Sequence, residues 1–177
     1  MNQGRPNLIQ SILSHPLVSR IRRNHGLEHA TLHVLAQRHP RRSLAGHSDA
    51  GGFWLIGDVS TEEVQSAVGE ALRRLKAGEQ NLAVHPNCGT NLVTAGLLAG
   101  TAAFMAMFGA GRRFRDKLER LPLAASMATF ALILAQPMGY LLQERFTTSG
   151  QPELLEVAAI FPARRGWMHA HRVLTRG

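Results

Sequence analysis

Residues 92–111, LVTAGLLAGTAAFMAMFGAG, are 20 consecutive residues without a charge, and residues 121–143, LPLAASMATFALILAQPMGYLLQ, form a second uncharged stretch. A helix of about 20 apolar residues can span the roughly 30 Å hydrocarbon core of a bilayer. The two stretches and the charged residues 112–120 between them therefore predict a transmembrane helical hairpin over residues 91–143, with helices over 92–111 and 121–143. The alternative is a buried helical hairpin of a soluble protein, because Ala and Gly make both stretches only moderately apolar.

Gly96 and Gly100 form a GxxxG pair within the first stretch. Small residues at this spacing let membrane helices approach closely. We expect the pair to bring the two helices of the hairpin together, or to contact a membrane protein partner or a second copy of the chain.

The residues before and after the hairpin predict a small α+β domain that the hairpin interrupts. The expected elements of residues 23–90 are a helix over 24–38, strands over 43–47 and 53–57, a helix from the capping box Ser60-Thr-Glu-Glu63 to Gly78, and a third strand over 81–85. Residues 144–177 alternate in part and predict a C-terminal β-hairpin that joins this domain. Residues 1–22 predict an amphipathic segment that lies on a membrane interface or packs on the domain, and they lack the pattern of a signal peptide.

The charge distribution suits an anionic surface. The chain has a formal net charge of +8, and many of its arginines are clustered. The anionic face of a bilayer and nucleic acid both fit such clusters, but only a lipid bilayer also explains the uncharged stretches, so nucleic acid is the weaker candidate. The basic loop 112–120 and the basic flanking domain give opposite indications of sidedness, and we favour a cytoplasmic N-terminal domain. The single cysteine, Cys88, excludes an intramolecular disulfide.

Three of the nine histidines, His25, His29 and His33, are spaced four residues apart in the predicted helix 24–38. They share one face, roughly opposite the apolar residues Leu27 and Val34. We therefore do not expect them to pack in the core. Histidines at i and i+4 can chelate one divalent metal ion, and the alternative is an exposed or interfacial polar face.

A third ligand is needed to complete such a site. His85 and Cys88 lie three residues apart just before the first uncharged stretch, and zinc accepts both nitrogen and thiolate ligands. The predicted zinc site is thus His25, His29 and either His85 or Cys88. His47 or Asp49 is expected to lie next to these ligands without binding the metal itself. Cys88 has two other interpretations: a nucleophile paired with His85 at a helix N-terminus, or a residue of the turn before that helix.

The string His25-Gly-Leu-Glu28-His29 resembles the HxxEH motif of inverted zinc peptidases. The resemblance covers five residues and implies His25 and His29 as zinc ligands and Glu28 as the base that activates a water. Members of that class take a third ligand from a distant glutamate, for which Glu62, Glu63 and Glu70 are candidates here.

Two longer segments together resemble the signatures of an uncharacterised family of small bacterial membrane proteins, a domain of unknown function. They are Arg22-Arg-Asn-His-Gly-Leu-Glu-His-Ala-Thr31 and His85-Pro-Asn-Cys-Gly-Thr-Asn-Leu-Val93, and the likeness extends through Gly51-Gly-Phe-Trp54. The resemblance implies a bacterial two-helix membrane protein and no mechanism. We expect such a protein to lie in the cytoplasmic membrane.

Three functional hypotheses follow. The first is a membrane-anchored metalloprotein, a zinc-dependent hydrolase or peptidase with Glu28 as catalytic base. The second is a non-catalytic membrane module that assembles or anchors a larger complex, and the third is a protein that binds anionic lipid headgroups through its arginines. The sequence leaves the substrate, the partners and the oligomeric state open.

Overall fold

The structure is a computed structural model that describes residues 7–177. The first six residues of the predicted N-terminal segment lie outside the described residues. The chain forms two compact units: an α+β unit made from the residues up to His85 and from Glu144 onward, and a helical unit, Pro86–Gln143. The α+β class is as the sequence predicts.

The α+β unit has three helices and a four-stranded sheet within the described residues. Its elements are α1 (Leu8–Leu13), α2 (Pro16–Arg38), β1 (Ala45–Asp49), β2 (Gly52–Ile56), α3 (Thr61–Lys76), β3 (Glu156–Arg165) and β4 (Met168–Arg176). The predicted capping box of α3 is confirmed, because the backbone N–H of Glu63 donates to Ser60 Oγ and the backbone N–H of Ser60 donates to the Glu63 carboxylate.

The sheet is antiparallel, with strand order β1-β2-β4-β3. The predicted C-terminal hairpin is confirmed as β3 and β4, and β4 pairs with β2 in the register Gly52↔Leu174. The two ends of the chain therefore build one sheet, although the helical unit separates them in sequence.

The core lies where α2 and α3 pack on the sheet. The apolar side chains in the second half of α2 recur at helical spacing, and Leu27, Val34 and Leu35 are fully buried, as the sequence pattern predicts. The largest buried side chains of the core are Leu27, Val34 and Leu35 from α2, Phe53 and Leu55 from β2, Val64 and Val68 from α3, and Leu155 and Val173 from the C-terminal segment.

Two local predictions are wrong. Residues 81–85 are not a strand: a 3₁₀ helix, Gln80–Ala83, stands there instead, because β4 takes the edge of β2 that a third strand would need. The first long helix begins at Pro16 and not at Asn24. Proline is well tolerated at the first helical position, where its missing N–H has no partner to lose.

The helical unit contains α4 (Gly89–Met107) and α5 (Phe114–Leu142), and a π-helical turn, Gln143–Thr147, continues α5 past the end of the unit. Both helices are long and apolar enough to cross a membrane. Most of the predicted loop 112–120 is the first part of α5.

The contact between α4 and α5 uses a different glycine from the predicted pair. A Cβ at Gly139 of α5 would collide with Asn91 of α4, whereas a Cβ at Gly96 or Gly100 would meet no described atom within 4 Å. The expectation that Gly96 and Gly100 bring the two helices together is therefore wrong, and both glycines lie on the exposed side of the hairpin.

Candidate metal centre

Three histidines of α2 each donate a hydrogen bond to a main-chain carbonyl of another segment. The Nδ1 atoms of His25 and His29 lie 3.0 Å and 2.7 Å from the carbonyl oxygens of Thr147 and Ala83. The Nε2 atom of His33 lies 2.8 Å from the carbonyl oxygen of Val84. The segments before and after the helical unit thus both lie on the histidine face of α2.

These hydrogen bonds determine the tautomer of each neutral ring. A carbonyl oxygen can only accept, so the nitrogen beside it carries the proton and the other ring nitrogen carries the lone pair. The lone pair is on Nε2 in His25 and His29 and on Nδ1 in His33. Metal-binding histidines in proteins are oriented in this way, by donating their second N–H to a carbonyl or carboxylate.

His85 completes a row of four imidazole rings within the α+β unit. The ring centroids of His25 and His29 are 4.3 Å apart, those of His29 and His85 are 5.6 Å apart, and those of His33 and His85 are 4.8 Å apart. Burial, followed by the nearby His33 and His29 rings, lowers the pKa of His85 to about 4. His85 is therefore neutral at pH 7, the protonation state that a metal ligand requires.

The histidine row is less exposed than the sequence pattern suggests. His29 is 2% exposed, and His25, His33 and His85 are partly buried. The expectation that these histidines take no part in packing is wrong for His29, because residues 83–85 cover the face of α2 on which it lies. The burial of these rings disfavours the interpretation of the histidines as an exposed polar face and leaves a metal site as the alternative.

Glu28 is directed toward β1. The Ser48 hydroxyl donates to its carboxylate, and a Cβ at Gly46 would collide with the same group. The side chain is 3% exposed. Burial raises the pKa of Glu28, against smaller lowering effects of the Ser48 hydrogen bond and of His25. A buried carboxyl group with a raised pKa is typical of general acids and bases, and also of structural hydrogen-bond networks.

Two of the three glutamates suggested as distant ligands, Glu63 and Glu70, have other partners. Glu63 caps α3 and lies 2.7 Å from His39, and Glu70 pairs with Arg38. Asp49, suggested to lie behind the ligands, accepts a 2.7 Å hydrogen bond from Arg172 instead. Ser48, one residue before Asp49, is the residue of β1 whose side chain donates a hydrogen bond to Glu28 of the HxxEH string.

Cys88 belongs to the helical unit, where it is the N-cap of α4. Its Sγ accepts a 3.4 Å hydrogen bond from the backbone N–H of Thr90. Cys88 therefore belongs to the start of α4 and caps the helix itself. Three residues of extended chain reach at most about 11 Å, so Cys88 stays close to His85 by covalent connection alone and remains a candidate ligand.

Sequence reasoning missed the groups that orient the histidines. Main-chain carbonyls leave no signal in a sequence, and the carbonyls of Ala83, Val84 and Thr147 come from segments far from α2. Gly26 is the one available signal, since a Cβ there would collide with the carbonyl of Ser149. A glycine in the middle of a helix costs about 0.5–1 kcal/mol relative to alanine, and here it permits the close approach.

Comparison with known proteins adds a family and one relative. Residues 20–160 match the family described as domain of unknown function DUF6391. An uncharacterized protein of the cyanobacterium Picosynechococcus sp. (strain PCC 7002) is 36% identical over 143 residues, which are 73% of this chain and 66% of the relative. The match thus spans slightly less than two thirds of that relative's length. No solved structure matches the chain.

Proposed function

Because the chain belongs to the DUF6391 family of unknown function, we propose a function from its own residues: an integral membrane protein that binds a divalent metal ion at the histidines of α2. Zinc is the first candidate, since imidazole and thiolate are the ligands that zinc prefers. The observation that carries the proposal is the orientation of His25 and His29, each with its Nδ1–H donating to a main-chain carbonyl, as metal-binding histidines do with their second ring nitrogen.

The membrane location is supported by the apolar surface of the helical unit. Only 11% of the apolar window of each helix is buried, which favours membrane helices over the buried helical hairpin of a water-soluble fold. Exposed side chains such as Leu97, Phe104 and Ile133 would meet water otherwise. We propose the bacterial cytoplasmic membrane, with the basic α+β unit on the cytoplasmic side.

The proposed ligands are His25 and His29, with His85 or Cys88 as the third. The sequence places His85 and Cys88 three residues apart, and the His85 ring lies 5.6 Å from that of His29. His33, at the far side of His85, would orient that ring or serve as an alternative ligand.

A zinc-dependent hydrolase, peptidases included, is the activity that these residues support. Zinc would supply a Lewis acid, and Glu28, with its raised pKa, would act as the catalytic base that takes a proton from water. Ser48 holds the Glu28 carboxylate in place through its hydroxyl.

A non-catalytic membrane module is the second candidate. It is favoured by the direction of Glu28, which faces Ser48 and Gly46 of β1. In that case the metal and the Glu28 carboxylate stabilise the α+β unit, and Gly96 and Gly100 on the exposed side of α4 contact a partner helix or a second copy.

The first experiment measures bound metal by mass spectrometry on the chain purified in detergent. We expect about one equivalent of zinc in the wild type and in a Glu28→Gln variant, and a loss of at least tenfold in a His25→Ala/His29→Ala double variant. His15→Ala is the matched control, because His15 is the N-cap of the same helix, α2, and its side chain is exposed. Absence of metal from the wild type would refute the metalloprotein.

Glu28→Gln then separates the two candidate functions. A hydrolase requires the base, so cells carrying the metal-loaded Glu28→Gln variant should behave like cells without the protein. Full function of that variant would refute the hydrolase and leave the membrane module.

A further inference from the structure

Helix α1 presents an apolar face that the described residues leave uncovered. Leu8, Ile9 and Ile12 fall within about 100° of one another on the helix, and they are 75%, 49% and 53% exposed. The helix is capped by Asn7, whose side chain accepts from the backbone N–H of Ile9, and no residue of α1 is buried.

A six-residue helix needs a surface to pack on. Isolated helices shorter than about 12 residues are marginal in water even with strong helix formers. An apolar helix face without a protein neighbour therefore requires a partner outside the described residues.

The polar side of α1 lines a cavity of about 730 Å³. Gln10 and Leu13 of α1 and its C-cap Ser14 form one part of the lining, and Glu144 and Arg145 form another. Glu144 is the second residue after the end of α5 at Leu142, within the turn that continues this apolar helix. Helix α1 thus borders the same cavity as Glu144 and Arg145, the residues that follow α5 in the chain.

The cavity carries positive charge. Arg22 lines it and donates to the carbonyls of Arg145 and Thr148, at 3.1 Å and 3.0 Å. Two carboxylates, Glu144 and Glu153, also line it, but Glu153 is paired with Arg23 at 3.0 Å. Arg22 and Arg145 therefore outweigh the one remaining carboxylate.

We propose that α1 lies in the interface of the bilayer that α4 and α5 span, and that the cavity behind it holds the headgroup of an anionic phospholipid. This inference rests on the membrane location proposed above. Leu8, Ile9 and Ile12 contact the acyl chains of the leaflet, and Arg145 and Arg22 contact the lipid phosphate. The apolar face of an amphipathic helix can enter the interface of a bilayer, and basic residues near it add attraction to anionic headgroups. Here the apolar face belongs to α1, and the basic residues are Arg22 and Arg145, which line the cavity beside it.

The position of α1 selects a bilayer over a protein partner. Its polar residues line the same cavity as Glu144 and Arg145, which follow α5 closely in the chain. If α5 spans a bilayer, the chain itself therefore keeps a membrane surface near α1, at a high effective concentration. A protein partner of α1 would have to compete with the membrane surface for the same apolar face.

The first test is quenching of tryptophan fluorescence by lipids brominated in their acyl chains. The full chain is reconstituted in nanodiscs with Trp54 and Trp167 replaced by Phe, and carries either Ile12→Trp or Gln65→Trp. Gln65 is an exposed residue of α3 and is the matched control. We expect at least twofold stronger quenching at position 12. Equal quenching at both positions, or none at position 12, would overturn the proposal.

The second test counts bound anionic lipid by native mass spectrometry. Arg145→Gln should lower the occupancy of anionic phospholipid about fivefold, the effect of one cation near an anionic surface, while Arg164→Gln in the β3–β4 hairpin should leave it unchanged. Equal occupancy in both variants would overturn the headgroup site. Carbonate extraction separates this inference from the proposed function: a chain that leaves the membrane refutes the membrane location itself, whereas a retained chain without quenching at position 12 refutes the inference alone.

Discussion

The Nδ1–H of His29 donates a 2.7 Å hydrogen bond to the carbonyl oxygen of Ala83, a residue 54 positions further along the chain. This bond joins the middle of α2 to the segment that precedes the helical unit, and it leaves the lone pair of the neutral ring on the opposite nitrogen, Nε2. One buried hydrogen bond therefore serves both the stability of the α+β unit and the geometry of the candidate metal centre.

His29→Ala should destabilise the chain even without metal. The substitution leaves the buried carbonyl of Ala83 without its donor, which costs about 1–3 kcal/mol. Denaturant unfolding of the detergent-purified chain in the presence of EDTA measures this loss, and His15→Ala should change the free energy of unfolding by less than about 0.5 kcal/mol. An equal effect of the two substitutions would argue against the Ala83 bond.

Gly46→Ala should destabilise the α+β unit, because the new methyl group would collide with the Glu28 carboxylate. Overpacking of this kind costs about 1–3 kcal/mol. The control is Gly69→Ala in α3, where the nearest described atom is Arg73 Nη1 at 3.7 Å and alanine should add about 0.5–1 kcal/mol through helix propensity. Opposite shifts in the thermal midpoint are expected, and a shift of the same sign in both variants would contradict the Glu28 position.

Asp49→Asn should weaken the fold at neutral pH and lose its effect in acid. The hydrogen bond from Arg172 is the main reason that the pKa of Asp49 lies below its ordinary value of 3.8. A carboxylate with a lowered folded-state pKa adds stability above the unfolded-state pKa, and this stability is lost as the pH falls through the folded-state value.

The Asp49 side chain is 43% exposed, so solvent screening limits the effect to about 0.5–1 kcal/mol. Unfolding measured from pH 7 to pH 2.5 should show the two proteins converging below about pH 3.8. Asp58→Asn is the control, since that side chain is exposed. A difference that stays constant with pH would exclude the ion pair as its cause.

Gly139→Ala should loosen the helical unit, because its Cβ would collide with Asn91 of α4. Gly96→Ala adds the same methyl group where no described atom lies within 4 Å, and it should leave the contact between α4 and α5 intact. Thermal unfolding of the two variants in the same detergent compares them directly. A larger loss for Gly96→Ala would instead indicate that the exposed glycine pair holds a partner helix.

The sequence by itself determined the elements whose signals are local. Two uncharged stretches predicted α4 and α5, the Ser60–Glu63 capping box predicted the start of α3, and the four-residue spacing of the histidines placed them on one face of a helix. These features follow from hydrogen bonds and side-chain neighbours within about four residues, which a sequence pattern records directly.

Tertiary structure alone decided what these elements contact. The sheet edge beside β2 went to β4, which pairs Gly52 with Leu174, so residues 81–85 became a 3₁₀ turn over the histidine face. The same arrangement buried His29, brought Ser48 and Gly46 against Glu28, and made Gly139 the close contact of the helical unit. Such pairings join residues more than a hundred positions apart, as Gly52 and Leu174 are, and they use main-chain atoms common to every residue. Their choice depends on competition between whole elements for the same surface, which no local pattern expresses.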